Sequence, residues 1–147
     1  MKATISTSIS TSAEQMWNEL QKVSSLVHVA SPLLIFKSQD KYPLPEQWHI
    51  GQEYALSVFI FGIIPLGKHV IKIIKIDAQN MQILSNEYGV LTRTWNHLIK
   101  VEKDTDYKIR YTDEIEIKAG MLTIAIWLFA QIFYRHRQKR WKKLIGR

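Results

Sequence analysis

The spacing of apolar residues along this chain switches between two periods. Residues 3–9, ATISTSI, alternate Ile5, Thr7 and Ile9 against Thr4, Ser6 and Ser8, a strand pattern rich in β-branched side chains. Thr11-Ser12-Ala13-Glu14 then reads as a capping box, in which the Thr11 hydroxyl and the Glu14 side chain each satisfy a free amide. The helix it opens places Ala13, Met16, Trp17 and Leu20 on one face, and a second short helix is expected over 24–30, stopping before Pro32. From Leu33 the period returns to two, predicting strands at about 33–38, 52–61, 68–76, 81–87, 91–102 and 107–117. Their connections are the Pro-containing loop KYPLPEQWHIG, the hairpin tip GIIPLG, the turn DAQN, a kink at Gly89, and DTD. A long helix over about 121–143 ends the pattern. One strand, two short helices, six antiparallel strands and a long helix form an α+β arrangement. No repeat, low-complexity stretch or linker divides it, so residues 1–147 are expected to be one domain.

The last hairpin gives the sharpest local expectation. Tyr107, Ile109, Tyr111, Asp113, Ile115 and Ile117 face one way, and Lys108, Arg110, Thr112, Glu114, Glu116 and Lys118 the other. The preceding strand offers Arg93, Trp95, His97, Ile99 and Val101 as the matching face. A three-residue loop, Asp104-Thr105-Asp106, would pair Val101 with Ile109, Ile99 with Tyr111, His97 with Asp113 and Trp95 with Ile115. His97 and Asp113 should then be neighbours on the inner face of the sheet.

This order of elements resembles the helix-grip fold of the START-like, birch-pollen-allergen-like (SRPBCC) superfamily, including its polyketide cyclase/dehydrase-like and coenzyme-Q-binding members. The residues that carry the resemblance are TSAEQMW after the first strand, TWNH, YTDEIEIKAG and IFYRH. Related ligand-binding sequences commonly carry Trp-x-His, then Asp-x-Val-x-Tyr and Pro-Gly before the helix. Trp95, His97, Asp113 and Ile115 match, whereas Ile117 replaces an aromatic and Ala119 the proline before Gly120. The resemblance implies a curved antiparallel sheet of about seven strands wrapped around the C-terminal helix, with an apolar cavity between them. It also implies a small hydrophobic or amphipathic ligand, such as a lipid, a quinone or a polyketide-like molecule. Ligand-binding candidates are Trp95, His97, Tyr111, Asp113, Ile115, Ile126, Phe133 and Arg137.

Composition adds little until the charges are placed. The chain has no cysteine, which excludes a disulfide framework and a thiol nucleophile. MKATISTSIS lacks the apolar core of a signal peptide, so a cytoplasmic location is expected. Of 20 Lys+Arg, seven lie in residues 135–147, leaving 13 to balance the 13 acids of residues 1–134. The net charge of +7 therefore sits wholly in the tail. A neutral body with a basic tail does not match the broad basic face of a DNA-binding domain. Contact of 135–147 with an anionic membrane or RNA stays open, because clustered cations gain affinity from phosphates.

The last helix changes character halfway, in MLTIAIWLFAQIFYRHRQKRWKKL. Its fourteen apolar-rich residues would span about 21 Å, short of the ~30 Å of a bilayer core, which argues against a spanning anchor. Burial against sheet and short helices accounts for them instead. Ile126, Ala130, Phe133, Arg137, Trp141 and Leu144 form a seam that Arg137 interrupts, either pointing at the sheet edge or cavity mouth or laying its stem along the seam with the guanidinium reaching water. The tip FIFGIIPLG is either a lid or docking site, or packs Phe61, Ile63 and Ile64 on the fold's own helices. An aspartate beside His97 would fix its tautomer, yet no nucleophile or activated water is nominated, so no catalytic residue is assigned. His28, His49, His69 and His136 have no metal-ligand spacing, and no phosphate-binding glycine motif is present, so neither metal nor cofactor is expected. The reading is a ligand-binding domain. A cyclase or dehydratase using His97 and Asp113, and a membrane- or ribonucleoprotein-docking protein using the tail, are the alternatives.

Overall fold

The structure is a computed structural model that describes residues 1–39 and 43–146. Lys41 and Tyr42, which open the expected Pro-containing loop, and Arg147 of the basic tail lie outside the described residues. Strand β1 (Lys2–Ile9) is followed by helices α1 (Ala13–Leu20) and α2 (Val23–Ala30). Six strands come next: β2 (Leu34–Ser38), β3 (Glu53–Ile60), β4 (Ile64–Asp77), β5 (Gln82–Gly89), β6 (Thr94–Thr105) and β7 (Lys108–Lys118). A single 3₁₀ turn, Gly120–Leu122, leads into α3 (Thr123–Ile145). The strands form one curved antiparallel sheet in the order β1-β7-β6-β5-β4-β3-β2, gripping α3 as the helix-grip reading expects. Because β1 and β2 are the two edges, α1 and α2 carry the chain from one edge to the other. α3 packs on β1, β7 and α2. No helix among the described residues is long and apolar enough to cross a membrane.

Local chemistry sets most of the element ends. Ser12, not Thr11, is the N-cap of α1, its hydroxyl accepting from the Gln15 amide at 3.1 Å. The cap is therefore one residue later than expected, and the Gln15 side chain accepts from the Thr11 hydroxyl at 2.9 Å. At the other end of the sheet, Gly89 comes so close to β4 that a Cβ there would lie 2.6 Å from the Lys68 carbonyl oxygen. Only glycine fits that approach. Gly120 has φ +58°, the left-handed conformation that turns the chain from β7 into α3.

The β6–β7 hairpin corrects the expected register. It turns on Asp106 and Tyr107, Thr105 pairs with Lys108, and the first residue of the expected loop, Asp104, is absorbed as a bulge. Val101 therefore faces Tyr111, Ile99 faces Asp113, His97 faces Ile115 and Trp95 faces Ile117. The slip is two residues, so every side chain keeps its face. His97 and Asp113 meet diagonally rather than directly, with their side chains 2.7 Å apart.

Three apolar clusters fill the space between sheet and helices, the smallest joining Val23 of α2 to Trp48, Tyr54 and Ile73, and the other two lying under α3. The first joins Ile9, Met16 and Leu20 to Ile99, Tyr111 and Trp141. The second joins Ile5, Ile115 and Ile117 to Ala130, Phe133 and Tyr134. The α3 seam runs through both, but it ends on Ile145, 8% exposed, rather than on Leu144, 41% exposed. The expected burial of the apolar half of α3 all round is also corrected. Met121, Ile124, Leu128 and Ile132 are exposed, because sheet and α2 cover one side of the helix only. The β3–β4 tip likewise leaves Phe61, Ile63 and Ile64 exposed instead of packing them on the helices.

Trp141→Ala removes a fully buried indole beside Tyr111 and should cost about 3–5 kcal/mol of unfolding free energy in urea titrations. Leu144→Ala, on the exposed side of the same turn, should stay within about 0.5 kcal/mol.

Candidate functional site

Because α3 lies over β1 and β7, the inner faces of β3 to β6 are left partly uncovered. The result is a cavity of about 300 Å³. Period-two alternation supplies its wall: Leu56 and Val58 from β3, Ile71 and Ile73 from β4, Ile83 from β5 and Ile99 from β6. α3 contributes Ile126, Phe129, Phe133, Tyr134 and Arg137, and α2 closes the flank with Val27 and Ala30. The mouth lies where lining residues become exposed, at Gly67 and Lys68 of β4, Val90 and Leu91 after β5, and Ala125 of α3.

Polar groups gather between the two apolar clusters that lie under α3. Asp113, fully buried, accepts three hydrogen bonds: from His97 Nε2 at 2.7 Å and the Tyr111 hydroxyl at 2.9 Å on Oδ1, and from Gln138 Nε2 at 3.0 Å on Oδ2. Gln138 also donates to the Ile5 carbonyl at 2.7 Å, which ties β1, β6, β7 and α3 to one carboxylate. A second group faces the cavity from β4 and β5. Glu87 accepts from His69 Nε2 at 2.9 Å and from the Ser85 hydroxyl at 2.6 Å. Trp95 Nε1 donates to the Tyr134 hydroxyl at 2.8 Å, and the Tyr134 ring lies 4.9 Å from His97.

Arg137 is the exception to this pairing. Its side chain is buried and lines the cavity, so of the two readings of Arg137 the one that sends the guanidinium to water does not hold. It sits 5.2 Å from the Tyr134 ring and 5.8 Å from that of Phe133, and its Nε has no hydrogen-bond partner among the described residues. Burial works against its charge, but the surrounding groups, including Asp113 and Glu87, hold its pKa above the ordinary value. The guanidinium therefore stays charged at the cavity wall.

Burial pushes the Asp113 carboxyl up, yet the His97 hydrogen bond, the Arg137 charge and Gln138 outweigh it and hold the group below its ordinary range. Glu87 behaves alike: burial raises it, and His69, His97 and Ser85 bring it below the ordinary value. Burial raises the hydroxyls of Tyr111 and Tyr134, which stay neutral. An ionised Asp113 only accepts, so His97 Nε2 carries the hydrogen between them, and the ring is locked in orientation.

Five candidate residues line the cavity: Trp95, His97, Ile126, Phe133 and Arg137. Tyr111, Asp113 and Ile115 are not among its lining residues. They share the inner face of β7, but α3 lies over that strand and seals them beneath it. Sequence reasoning missed Glu87, Ser85 and His69. The turn alone would set Glu87 opposite Lys72, and it is the bulge between Ile73 and Lys75 that sets it opposite Ile71, diagonal to His69, which alternation does not reveal.

The two lowered carboxyls fix an acid limb. Their folded pKa values lie below those of the unfolded chain, so stability is full above about pH 4 and falls as the pH drops through the folded values. Asp113→Asn should flatten that limb in thermal melts between about pH 2 and 5, and cost about 2 kcal/mol at pH 7.

No curated protein matches the sequence. Solved structures match over nearly the whole chain. A protein from Chromobacterium violaceum superposes with a TM-score of 0.77 at 10% identity, over 98% of this chain and 96% of that one. A START superfamily protein from Mycobacterium smegmatis gives 0.73 at 12% identity, over 98% and 96%. Norcoclaurine synthase from Thalictrum flavum, solved in complex with dopamine and hydroxybenzaldehyde, gives 0.67 at 14% identity, over 98% and 85%. At such identities the likeness establishes the fold, the START-like, birch-pollen-allergen-like helix grip. A family model described as Domain of unknown function (DUF8410) matches residues 7–144, and the chain belongs to that family.

Proposed function

We propose that the protein binds one small amphipathic molecule in the cavity between sheet and α3, its hydrocarbon against the wall and an oxygen acceptor toward Arg137. The observation that carries this is a buried guanidinium whose Nε has no partner, set in the wall of an otherwise mostly apolar cavity. Side chains of β3 to β6 supply the apolar contact, worth about 2.5 kcal/mol for each 100 Å² of ligand hydrocarbon buried, before ordering costs. A few convergent polar groups in a pocket of a few hundred Å³ are what orient such a ligand. Here His97, Arg137 and the His69–Glu87 pair take that role, and lipid, quinone and polyketide-like molecules all meet the requirement.

A cyclase or dehydratase built on His97 and Asp113 gains less support. Asp113 lies beneath α3 with both oxygens engaged, so it positions the His97 ring and does not line the cavity.

Titration with 8-anilinonaphthalene-1-sulfonate, an aromatic anion with an apolar body, tests the reading by fluorescence. One site per chain is expected. Val58→Trp, which fills the cavity, should weaken it about tenfold or more, and Arg137→Met should weaken it by a similar factor. Asp113→Asn should change it only a few-fold, whereas an enzyme dependent on Asp113 would lose turnover. Binding indifferent to Val58→Trp would overturn the proposal.

A further inference from the structure

The exposed face of α3 is divided as sharply as its sequence. Met121, Ile124, Leu128 and Ile132 follow one another at steps of three and four, with Ile124 65%, Leu128 53% and Ile132 64% exposed. Steps of the same kind continue to Arg135, Lys139 and Lys142, all exposed. At 100° per residue the positions from Ile124 onward share one arc of α3, opposite the buried seam of Ala130, Phe133, Arg137 and Trp141, and Met121 precedes them in the 3₁₀ turn. The first half of the outward face is thus aliphatic and the second half cationic. No acid occurs after Glu116, so nothing within α3 neutralises the cations. Arg140 stands apart, since it donates to the His28 carbonyl at 3.2 Å and braces α2.

The aliphatic half borders the cavity mouth, where other elements expose the same chemistry. Phe61, Ile63 and Ile64 stand at the β3–β4 tip, with Ile63 79% exposed. Val90, 73% exposed, stands beside Gly67 of β4 in the connection after β5. A hairpin tip and a connecting loop are ordinarily polar, and none of these residues serves the core. Three separate segments therefore present aliphatic or aromatic side chains around one opening.

We propose that this rim and the outward face of α3 form a docking surface for an anionic lipid bilayer. Ile, Leu and Met insert among acyl chains, while Arg135, Lys139, Lys142 and Lys143 meet lipid phosphates beside them. Three alternatives fit less of the surface. A nucleic acid would use the cations but has no use for an aliphatic row without a stacking ring. A second copy of the chain, paired antiparallel across a two-fold axis on the aliphatic half, would leave the basic half without a role. An acidic protein partner would leave the aliphatic rim around the mouth without a role. On the ligand-binding reading above, the cavity then opens onto the bilayer, so an amphipathic molecule passes between the two without crossing water.

Co-sedimentation of the full chain with phosphatidylcholine vesicles, with and without phosphatidylglycerol, tests docking independently of cavity loading. Binding to the anionic vesicles is expected, weakened by salt. Leu128→Ser with Ile132→Ser should weaken it by about tenfold or more for each side chain. Lys139→Gln with Lys142→Gln should weaken it by roughly fivefold for each cation. All four positions are exposed, and unchanged melting temperatures would show that the fold is kept. Failure to sediment, or binding indifferent to Leu128 and Ile132, would overturn the proposal. So would a dimer in sedimentation velocity that Leu128→Ser dissolves, or tighter binding to single-stranded RNA than to the vesicles. If vesicles bind and the anilinonaphthalene probe does not, docking stands and the cavity reading falls.

Discussion

A single buried carboxylate organises this protein. Asp113 accepts from His97, Tyr111 and Gln138, and Gln138 extends the network to the backbone of β1. An ionised group taken wholly out of water is tolerated only when its lone pairs are engaged, and here donors from β6, β7 and α3 converge on it. The network therefore fixes where α3 crosses the sheet. Helix register against β1 and β7 follows, with Phe133 and Tyr134 on one side of the polar junction and Trp141 on the other.

That placement also creates what is left open. A helix held over β1 and β7 cannot fully cover β3 to β6, so part of their inward-facing aliphatic surface lines a cavity. Arg137 lies one residue before Gln138 and faces the cavity, while Gln138 faces the carboxylate. The charge of Asp113 helps keep Arg137 protonated, but the guanidinium Nε finds no acceptor among the described residues. Structure-forming and ligand-facing groups are thus adjacent in sequence and separate in role. The outer side of α3 follows the same logic. Since only one face meets the sheet, the aliphatic residues opposite are free to serve a surface.

Much of this was legible in the residues. Alternation around Tyr111, Asp113 and Ile115 gave the inner face of β7 correctly, because a period of two survives an error of two in register. The error came from the bulge at Asp104, which changes loop length without changing which side chains point inward. Lining was harder to read. Tyr111 and Asp113 share a face with the cavity wall, yet whether a position meets ligand space or helix depends on where α3 lies, and strand alternation contains no such information. For α3 itself, an apolar run is compatible with burial on all sides or with a partner on the far side. Ile124, Leu128 and Ile132 are exposed, so burial on all sides does not hold. Glu87 and His69 were hidden because their strands carry mixed polarity, and only pairing across β4 and β5 brings them together.

The most direct test of this account is a crystal structure of the protein purified without denaturation from its own cells. The account predicts elongated density between sheet and α3, with an oxygen within about 3 Å of the Arg137 guanidinium and hydrocarbon against Leu56, Val58 and Phe133. A structure in which those side chains close on one another, and Arg137 pairs with a group of the protein itself, would contradict it.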